Sequence, residues 1–315
     1  MLELVFGLAV WGGIAAVWVA SLALPILLLR SLSKGQWRHA VLLGTLIGLP
    51  HIIQIRPLPL STRQVILNGM VQWFPRTKVY APPQLQSDPH LGHFNLFHHG
   101  DRPQLYCIHP HGIYTVGALM LLRERPDVRL CVGAFLYNFA PLFRMLPDML
   151  GLKVGSVGKT WLAACMAEGQ DNLAIVPGGF HEATISCRGH ERVFLRTRKG
   201  FVKYALRNGY DLVPCYNFGE TDLFSNLQGI WRRRFALNVL NIPTVLPWGA
   251  PLLPALPRRR ALVLAIGQPV HMPHIECPTK EEVDRHHARY VMALEKLYAD
   301  ASRGTPSEGR PLEVW

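Results

Sequence analysis

The chain reads as an α/β domain carried behind an apolar N-terminal region. Three observations predict this. Two uncharged stretches precede residue 56, short apolar runs alternate with helical stretches from about residue 100, and 49% of the 315 residues are hydrophobic while 17% are charged. An ordinary soluble protein carries about 25% charged residues. Lys and Arg number 33 against 21 Asp and Glu, a net charge of +12. A basic and apolar chain suits a membrane surface or an anionic ligand, whereas a nucleic-acid binder carries more charge and fewer apolar residues. This composition also excludes a disordered chain, a collagen and a disulfide-dense mini-protein.

The first uncharged stretch, Leu4 to Leu29, has 26 residues, with Trp11 and Trp18 inside it and Pro25 near its end. That exceeds the roughly 20 residues a helix needs to cross a bilayer. A cleaved signal peptide would start with positive charge and have a shorter apolar core, but the early charge here is Glu3, so a retained anchor is expected. Arg30, Lys34 and Arg38 follow. The second stretch, His39 to Ile55, is 17 residues long and holds Gly44, Gly48, Pro50 and His51, which suits a re-entrant or hairpin arm. Basic residues flank it on both sides, so charge asymmetry sets no orientation. The expected division is residues 1–56 as the membrane-anchoring part, 57–301 as the catalytic domain and 302–315 as a loose tail rich in Gly, Pro and charge.

Strands are expected at Gln104–Ile108, Arg129–Ala134, Asn172–Val176, Asp211–Tyr216 and Ala261–Ile266, with helices near Thr160–Glu168 and Lys199–Asn208 between them. Such alternation implies a sheet that is at least partly parallel. Near the C-terminus, Thr279 and Glu282 fit a capping box, and Val283, His287, Tyr290, Val291, Leu294, Leu297 and Tyr298 recur at helical spacing, which predicts a packing helix. The six cysteines are scattered with no C-x-x-C pair, so neither a zinc module nor a disulfide framework is expected, and they read as reduced.

Two apparent motifs fail. Gly155–Thr160 resembles the end of a phosphate-binding loop, but position 153 is Lys where Gly is required, and Ser156 lacks the preceding Gly of a nucleophile elbow because position 154 is Val. The strong signal is His109-Pro110-His111-Gly112, entered directly from a predicted strand. Chemistry in α/β sheets gathers at the carboxyl ends of strands. Two imidazoles on such a turn suggest a general base beside backbone N–H donors, with structural histidines as the alternative. Six histidines (His90, His93, His98, His99, His109 and His111) fall within 22 residues, yet no carboxylate or thiolate set with ligand spacing accompanies them, and no metal is expected.

A second turn, Val176-Pro177-Gly178-Gly179-Phe180-His181-Glu182, also follows a strand. Paired glycines allow close backbone approach and can present N–H groups to an oxyanion, and Glu182 could orient an imidazole. Between Arg188 and Arg207 lie seven Lys and Arg and one acid, Glu191, with Arg196, Arg198, Lys199 and Lys203 near a predicted helix start. This arrangement suits phosphates, such as the nucleotide part of coenzyme A, or anionic headgroups. Arg232–Arg234 and Arg258–Arg260 read as membrane-surface contacts.

At these residues the chain resembles the type-2 diacylglycerol acyltransferase family, which includes monoacylglycerol and wax-alcohol acyltransferases. His109-Pro110-His111-Gly112 resembles that family's HPHG signature, and Trp73-Phe74-Pro75 its YFP element. Pro177-Gly178-Gly179 with Glu182 resembles its PGG-x-x-E element. Arg198-Lys199-Gly200-Phe201, Leu212-Val213-Pro214 and Phe218-Gly219-Glu220 resemble its RKGF, LVP and FGE run, and Gly267-Gln268-Pro269-Val270 its C-terminal block. The resemblance runs from about Gln72 to Leu297.

It implies an α/β sandwich of the glycerolipid-acyltransferase type behind an N-terminal membrane hairpin. The implied activity is acyl transfer from acyl-CoA, a co-substrate and not a cofactor, to the hydroxyl of a neutral lipid. Diacylglycerol is the first acceptor, with monoacylglycerol or a wax alcohol as alternatives. A silent lipid-droplet scaffold would lack a use for the histidines. The implied location is the endoplasmic reticulum membrane and the lipid droplet, with the catalytic domain facing the cytosol. Bilayer and droplet surface are then the partners, a homo-oligomer is compatible, and nucleic acid is not expected. Wider glycerolipid acyltransferases use H-x-x-x-x-D, but Tyr114 and Val116 occupy the Asp positions here, so Glu182 is the expected replacement. The expected roles are His109 or His111 as base, Gly112, Gly178 and Gly179 at the oxyanion, and Arg196, Arg198, Lys199 and Lys203 at the phosphates of acyl-CoA. Trp73, Phe74, Pro75, Gly200, Phe201, Gly219 and Glu220 are motif positions without an assigned role.

Overall fold

The computed structural model describes residues 2–53, 55–80, 102–139, 141–240 and 242–315. His90, His93, His98 and His99 lie outside the described residues. Along the chain come α1 (Leu2–Ser33), α2 (Trp37–Ile52), α3 (Leu60–Gln72), β1 (Thr77–Tyr80), β2 (Gln104–His109), α4 (Val116–Glu124), β3 (Arg129–Val132), α5 (Ala134–Phe139), α6 (Pro141–Leu150) and β4 (Val154–Ser156). They are followed by α7 (Lys159–Glu168), β5 (Leu173–Ile175), α8 (Gly179–Ile185), β6 (Glu191–Val193), α9 (Gly200–Asn208), β7 (Asp211–Phe218), β8 (Ser225–Asn226) and α10 (Trp231–Val239). The last elements are β9 (Pro247–Trp248), β10 (Leu262–Ile266), α11 (Lys280–Ala301) and β11 (Leu312–Val314). The chain divides into two units, residues 1–73 with 132–158, and residues 74–131 with 159–315.

In the first unit, α1 is the one described helix long and apolar enough to cross a bilayer. The second uncharged stretch is helical through Gly44, Gly48 and Pro50, but α2 has 16 residues. At 1.5 Å per residue that is about 24 Å, short of the roughly 30 Å hydrocarbon core. A turn at Gly35, which has φ +66°, joins the two helices. Trp11 is fully buried and its indole N–H donates to the Met70 carbonyl at 2.9 Å, holding α1 to α3. Val19, Ile26, Leu29, Trp37, Val41 and Ile52 stand exposed, an apolar surface that water does not favour.

In the second unit the strand order is β1-β10-β7-β2-β5-β3. β2 runs parallel to β5 and β7, β3 is parallel to β5, and β10 is antiparallel to β7, so the sheet is partly parallel as expected. β2 is buried along its whole length, which explains its continuous apolar run. Leu105 and Cys107 join a core with Phe201, Val202 and Leu206 of α9 and Tyr290 and Leu294 of α11. Strand side chains alternate between faces, so His109 points to this same side. The capping box of α11 forms as expected: the Glu282 N–H donates to Thr279 Oγ1 at 3.2 Å, and the Thr279 N–H to Glu282 Oε2 at 2.8 Å.

Two expectations are corrected here. Residues 302–315 are not a loose tail: β11 pairs with β6, and fully buried Ser307 donates to Glu191 Oε1 at 2.7 Å. Glu191 is itself fully buried and gathers Tyr216, Thr221, Ser307 and Arg310, because a carboxylate away from water needs donors. Arg234 is not a surface contact either. It is buried and donates to the carbonyls of Leu227 at 2.6 Å and Thr244 at 2.8 Å, clamping the loop that follows α10.

Candidate active site

The site forms where β2 and β5 end at the carboxyl edge of the sheet. Glu182, fully buried on α8, is its centre. Its carboxylate accepts the His111 N–H at 2.8 Å, the Phe194 N–H at 2.8 Å and the His109 ring at 3.1 Å from Nδ1. An ionised carboxylate offers about four acceptor positions and no donor, so three converging N–H groups suit it. Gly178 makes the room: a Cβ there would lie 2.1 Å from Glu182 Oε2. Gly178 thus admits the Glu182 carboxylate, while Gly179 has open space where a Cβ would stand.

His109 is fully enclosed. Glu182 takes Nδ1–H and the Tyr290 hydroxyl lies 3.1 Å from Nε2, so both ring nitrogens are engaged. Phe201 packs edge-on against Tyr290 with centroids 5.0 Å apart, which gives the RKGF-like segment a role in backing the histidine. Tyr290→Phe keeps this packing and removes the hydroxyl. The expected loss is about 1 kcal/mol of stability with a smaller activity loss than for removal of either imidazole, measured by thermal unfolding alongside turnover.

His111 is different. It is half-buried, and its Nδ1 lies 3.0 Å from the Gly112 carbonyl, which accepts a hydrogen bond from Nδ1–H. Nδ1–H donation leaves Nε2 with the lone pair. Among the described residues Nε2 has no hydrogen-bond partner. Burial lowers the His111 pKa below its ordinary 6.5, opposed in part by the Gly112 carbonyl and by Glu182, which keeps the ring neutral near pH 7.

Glu220 acquires a role that its motif did not disclose. Its buried carboxylate accepts the Val116 N–H at 3.1 Å and the Gly117 N–H at 3.0 Å, at the start of α4, and Asn217 Nδ2 at 2.6 Å. Burial pushes its carboxyl up to about 7. Gly112 has φ +58° and a Cβ there would come 2.5 Å from Glu220 Oε1, so glycine is required both for the turn and for this carboxylate. Gly219, at φ +90°, sets the turn that delivers Glu220.

The remaining expectations divide. The Gly179 N–H donates to the Val176 carbonyl at 3.1 Å, so it does not face an oxyanion. Arg198 bonds His181 Nδ1 and stands over the Phe194 ring, while burial and Arg198 push His181 down to about 4. Lys199 is paired with Asp284 at 2.7 Å, and Arg196 and Lys203 are exposed. Two of the four basic residues are thus engaged within the protein and two face solvent. Trp73 and Phe74 are buried packing residues and Gly200 opens α9. Among the described residues no group of three His, Cys, Asp or Glu is placed to hold a metal. Sequence reading missed Tyr290 as a site residue, since it fits the apolar stripe of α11, and missed Asn217.

A family model described as diacylglycerol acyltransferase matches residues 80–306. The chain is 32% identical over 234 residues to human 2-acylglycerol O-acyltransferase 3, covering 66% of this chain and 67% of that one. It is 30% identical over 224 residues to bovine diacylglycerol O-acyltransferase 2, covering 62% of this chain and 60% of the relative's length. Among solved structures, the 1-acyl-sn-glycerophosphate acyltransferase of Thermotoga maritima aligns over 96% of this chain and 98% of that chain, at 13% identity and a TM-score of 0.46.

Proposed function

The chain belongs to the diacylglycerol acyltransferase family, and from that premise we propose that it transfers a fatty acyl group from acyl-CoA to the hydroxyl of a neutral lipid at a membrane. Diacylglycerol is the acceptor in the first reading, giving triacylglycerol. The second is 2-monoacylglycerol, favoured by the likeness to the human 2-acylglycerol O-acyltransferase. The observation that carries the proposal is the pair of histidines in unlike states, one locked between Glu182 and Tyr290 and the other with a free Nε2.

In this reading His111 is the base and His109 the positioning residue. His111 Nε2 takes the proton of the acceptor hydroxyl as its oxygen attacks the thioester carbonyl carbon. The tetrahedral intermediate collapses with cleavage of the C–S bond, and the proton passes from His111 to the departing thiolate, leaving ester and free coenzyme A. A thioester is already activated, so no covalent enzyme intermediate is required. Gly112 and Gly178 remain the backbone candidates for the oxyanion. Glu182 acts through geometry: one carboxylate holds the backbone of His111 and the ring of His109.

The membrane reading rests on two surfaces, each described within its own unit. The first is the exposed apolar surface of α1 and α2. The second lies between α10 and β10, where Val239, Leu240, Leu246, Trp248, Leu252 and Leu253 are exposed, Leu252 at 94%. This loop region is tied to the site: the Tyr114 hydroxyl donates to the Ala255 carbonyl at 2.7 Å, and Asn238 Nδ2 to the Phe180 carbonyl at 3.2 Å. An apolar surface beside the HPHG turn suits an acceptor that arrives from lipid. Leu240→Glu with Leu252→Glu is expected to raise the apparent KM for acceptor several-fold in vesicles while the KM for acyl-CoA holds. Equal change in both constants argues against the membrane role. Endoplasmic reticulum and lipid droplet are the proposed locations, with the catalytic unit on the cytosolic side. The test of the function is acyl transfer by the purified full chain, with labelled acyl-CoA and a panel of acceptors.

A further inference from the structure

Beyond β7 at the same sheet edge lies a cavity of about 720 Å³ lined by Arg188, Asp222, Arg260, Pro306 and Arg310 among others. Its charge is unbalanced. Asp222 is taken by Arg310 at 2.9 Å, and Arg310 also reaches Glu191 at 3.2 Å. Arg188 and Arg260 have no carboxylate partner among the described residues, and both are exposed. Arg258 stands close to both, and its buried Nη1 atom has no hydrogen-bond partner. Burial, with the nearby charges of Arg188 and Arg260, lowers the Arg258 pKa, opposed in part by Asp222. Two guanidinium groups without a carboxylate partner on the cavity wall, Arg188 and Arg260, with Arg258 beside them, form a receptor for a multiply charged anion.

The position relates the cavity to the reacting site. β2 and β7 are parallel with His109 opposite Tyr216, and β10 is antiparallel to β7 with Val263 opposite Phe218. Arg260, three residues before Val263, thus lies past the edge that carries His111. β2 and β10 are two strand spacings apart, about 10 Å. Asp222 lies two residues after Glu220, whose carboxylate occupies the space beside Gly112. The pantetheine arm of coenzyme A separates its thioester from its phosphates, as this layout demands.

We infer that the cavity holds the diphosphate and 3′-phosphate of coenzyme A through Arg188 and Arg260, with the charge of Arg258 beside them. The inference rests on the acyl-CoA reading above and moves the phosphate site away from the start of α9, where Lys199 is bound to Asp284 and Arg198 faces His181.

The test uses the full chain in detergent. Binding of coenzyme A and of its 3′-dephospho form is measured for the parent, for Arg188→Gln with Arg260→Gln, and for Lys280→Gln with Arg303→Gln, an exposed pair outside the cavity that removes the same charge. Binding to vesicles with and without phosphatidic acid is measured in parallel, and thermal unfolding confirms that each variant folds. The cavity variant should bind coenzyme A about tenfold or more weakly and lose most of the preference for the 3′-phosphate, while the other pair changes neither. Unchanged binding in the cavity variant overturns the inference, as does an equal loss in both pairs, which reports bulk charge. A loss confined to phosphatidic acid vesicles also overturns it and assigns the cavity to a lipid headgroup. Failure of the parent itself to bind coenzyme A or transfer an acyl group is a distinct result, and defeats the acyl-CoA reading.

Discussion

His111→Ala is expected to lower kcat by about 10²–10⁴-fold with little loss of stability and with acyl-CoA binding retained. The ring is half-buried and bonds only near its own turn, to the Gly112 carbonyl and Thr115, so its removal leaves the core intact. Turnover of the parent should fall as pH drops, because a base must be neutral to accept a proton. Burial holds the imidazole below its ordinary 6.5, so the fall should centre below that value, with full activity above it. His109→Ala should behave otherwise. It empties a fully enclosed space and removes one hydrogen-bond partner each from Glu182 and the Tyr290 hydroxyl, so stability should drop by about 2–5 kcal/mol. Thermal unfolding and single-substrate kinetics on both variants separate the two roles. A His109 variant that is stable and inactive beside an active His111 variant reverses the assignment.

Glu182→Ala is expected to be the most damaging single change to the fold of the site. It removes the acceptor for the N–H groups of His111 and Phe194 and for the His109 ring. Each buried donor left unpaired costs about 1–3 kcal/mol, and whole domains have only about 5–15 kcal/mol to lose. Glu182→Gln does not rescue it fully, since an amide offers one acceptor oxygen and turns an N–H toward another donor. Its effect on kcat should not add to that of His111→Ala, because both act on one arrangement. Denaturant unfolding and a double-variant cycle measure this. An unchanged unfolding midpoint for Glu182→Ala contradicts the role given to the carboxylate.

The scaffold around this site was largely legible before the structure. β2 announces itself as an apolar run ending in His109-Pro110-His111-Gly112, β7 and β10 as similar runs, and α11 through Thr279 and Glu282. These are local signals, set by periodicity and capping within a few residues. The unlike states of the two histidines were not legible, because a partner 181 residues away decides them: Tyr290 closes over His109 only when α11 lies on the sheet. Glu220 was equally hidden, as it reaches the start of α4 from 104 residues downstream. The tail misled for a related reason. Its Gly, Pro and charge look solvated, but Ser307 and Arg310 satisfy Glu191, and composition does not reveal which carboxylates are buried. The density of the basic run before α9 does not disclose the local partners of Lys199 and Arg198, which are Asp284 and His181.

The central claim is that His111 deprotonates a lipid hydroxyl for direct attack on acyl-CoA. The most direct measurement follows labelled acyl-CoA with diacylglycerol in the presence of the purified full chain, parent beside His111→Ala, counting labelled product and released thiol together. The account predicts labelled triacylglycerol in step with free coenzyme A for the parent, and a loss of both of about 10²–10⁴-fold in the variant. Equal rates for parent and variant, or thiol release with labelled fatty acid in place of ester, would contradict it.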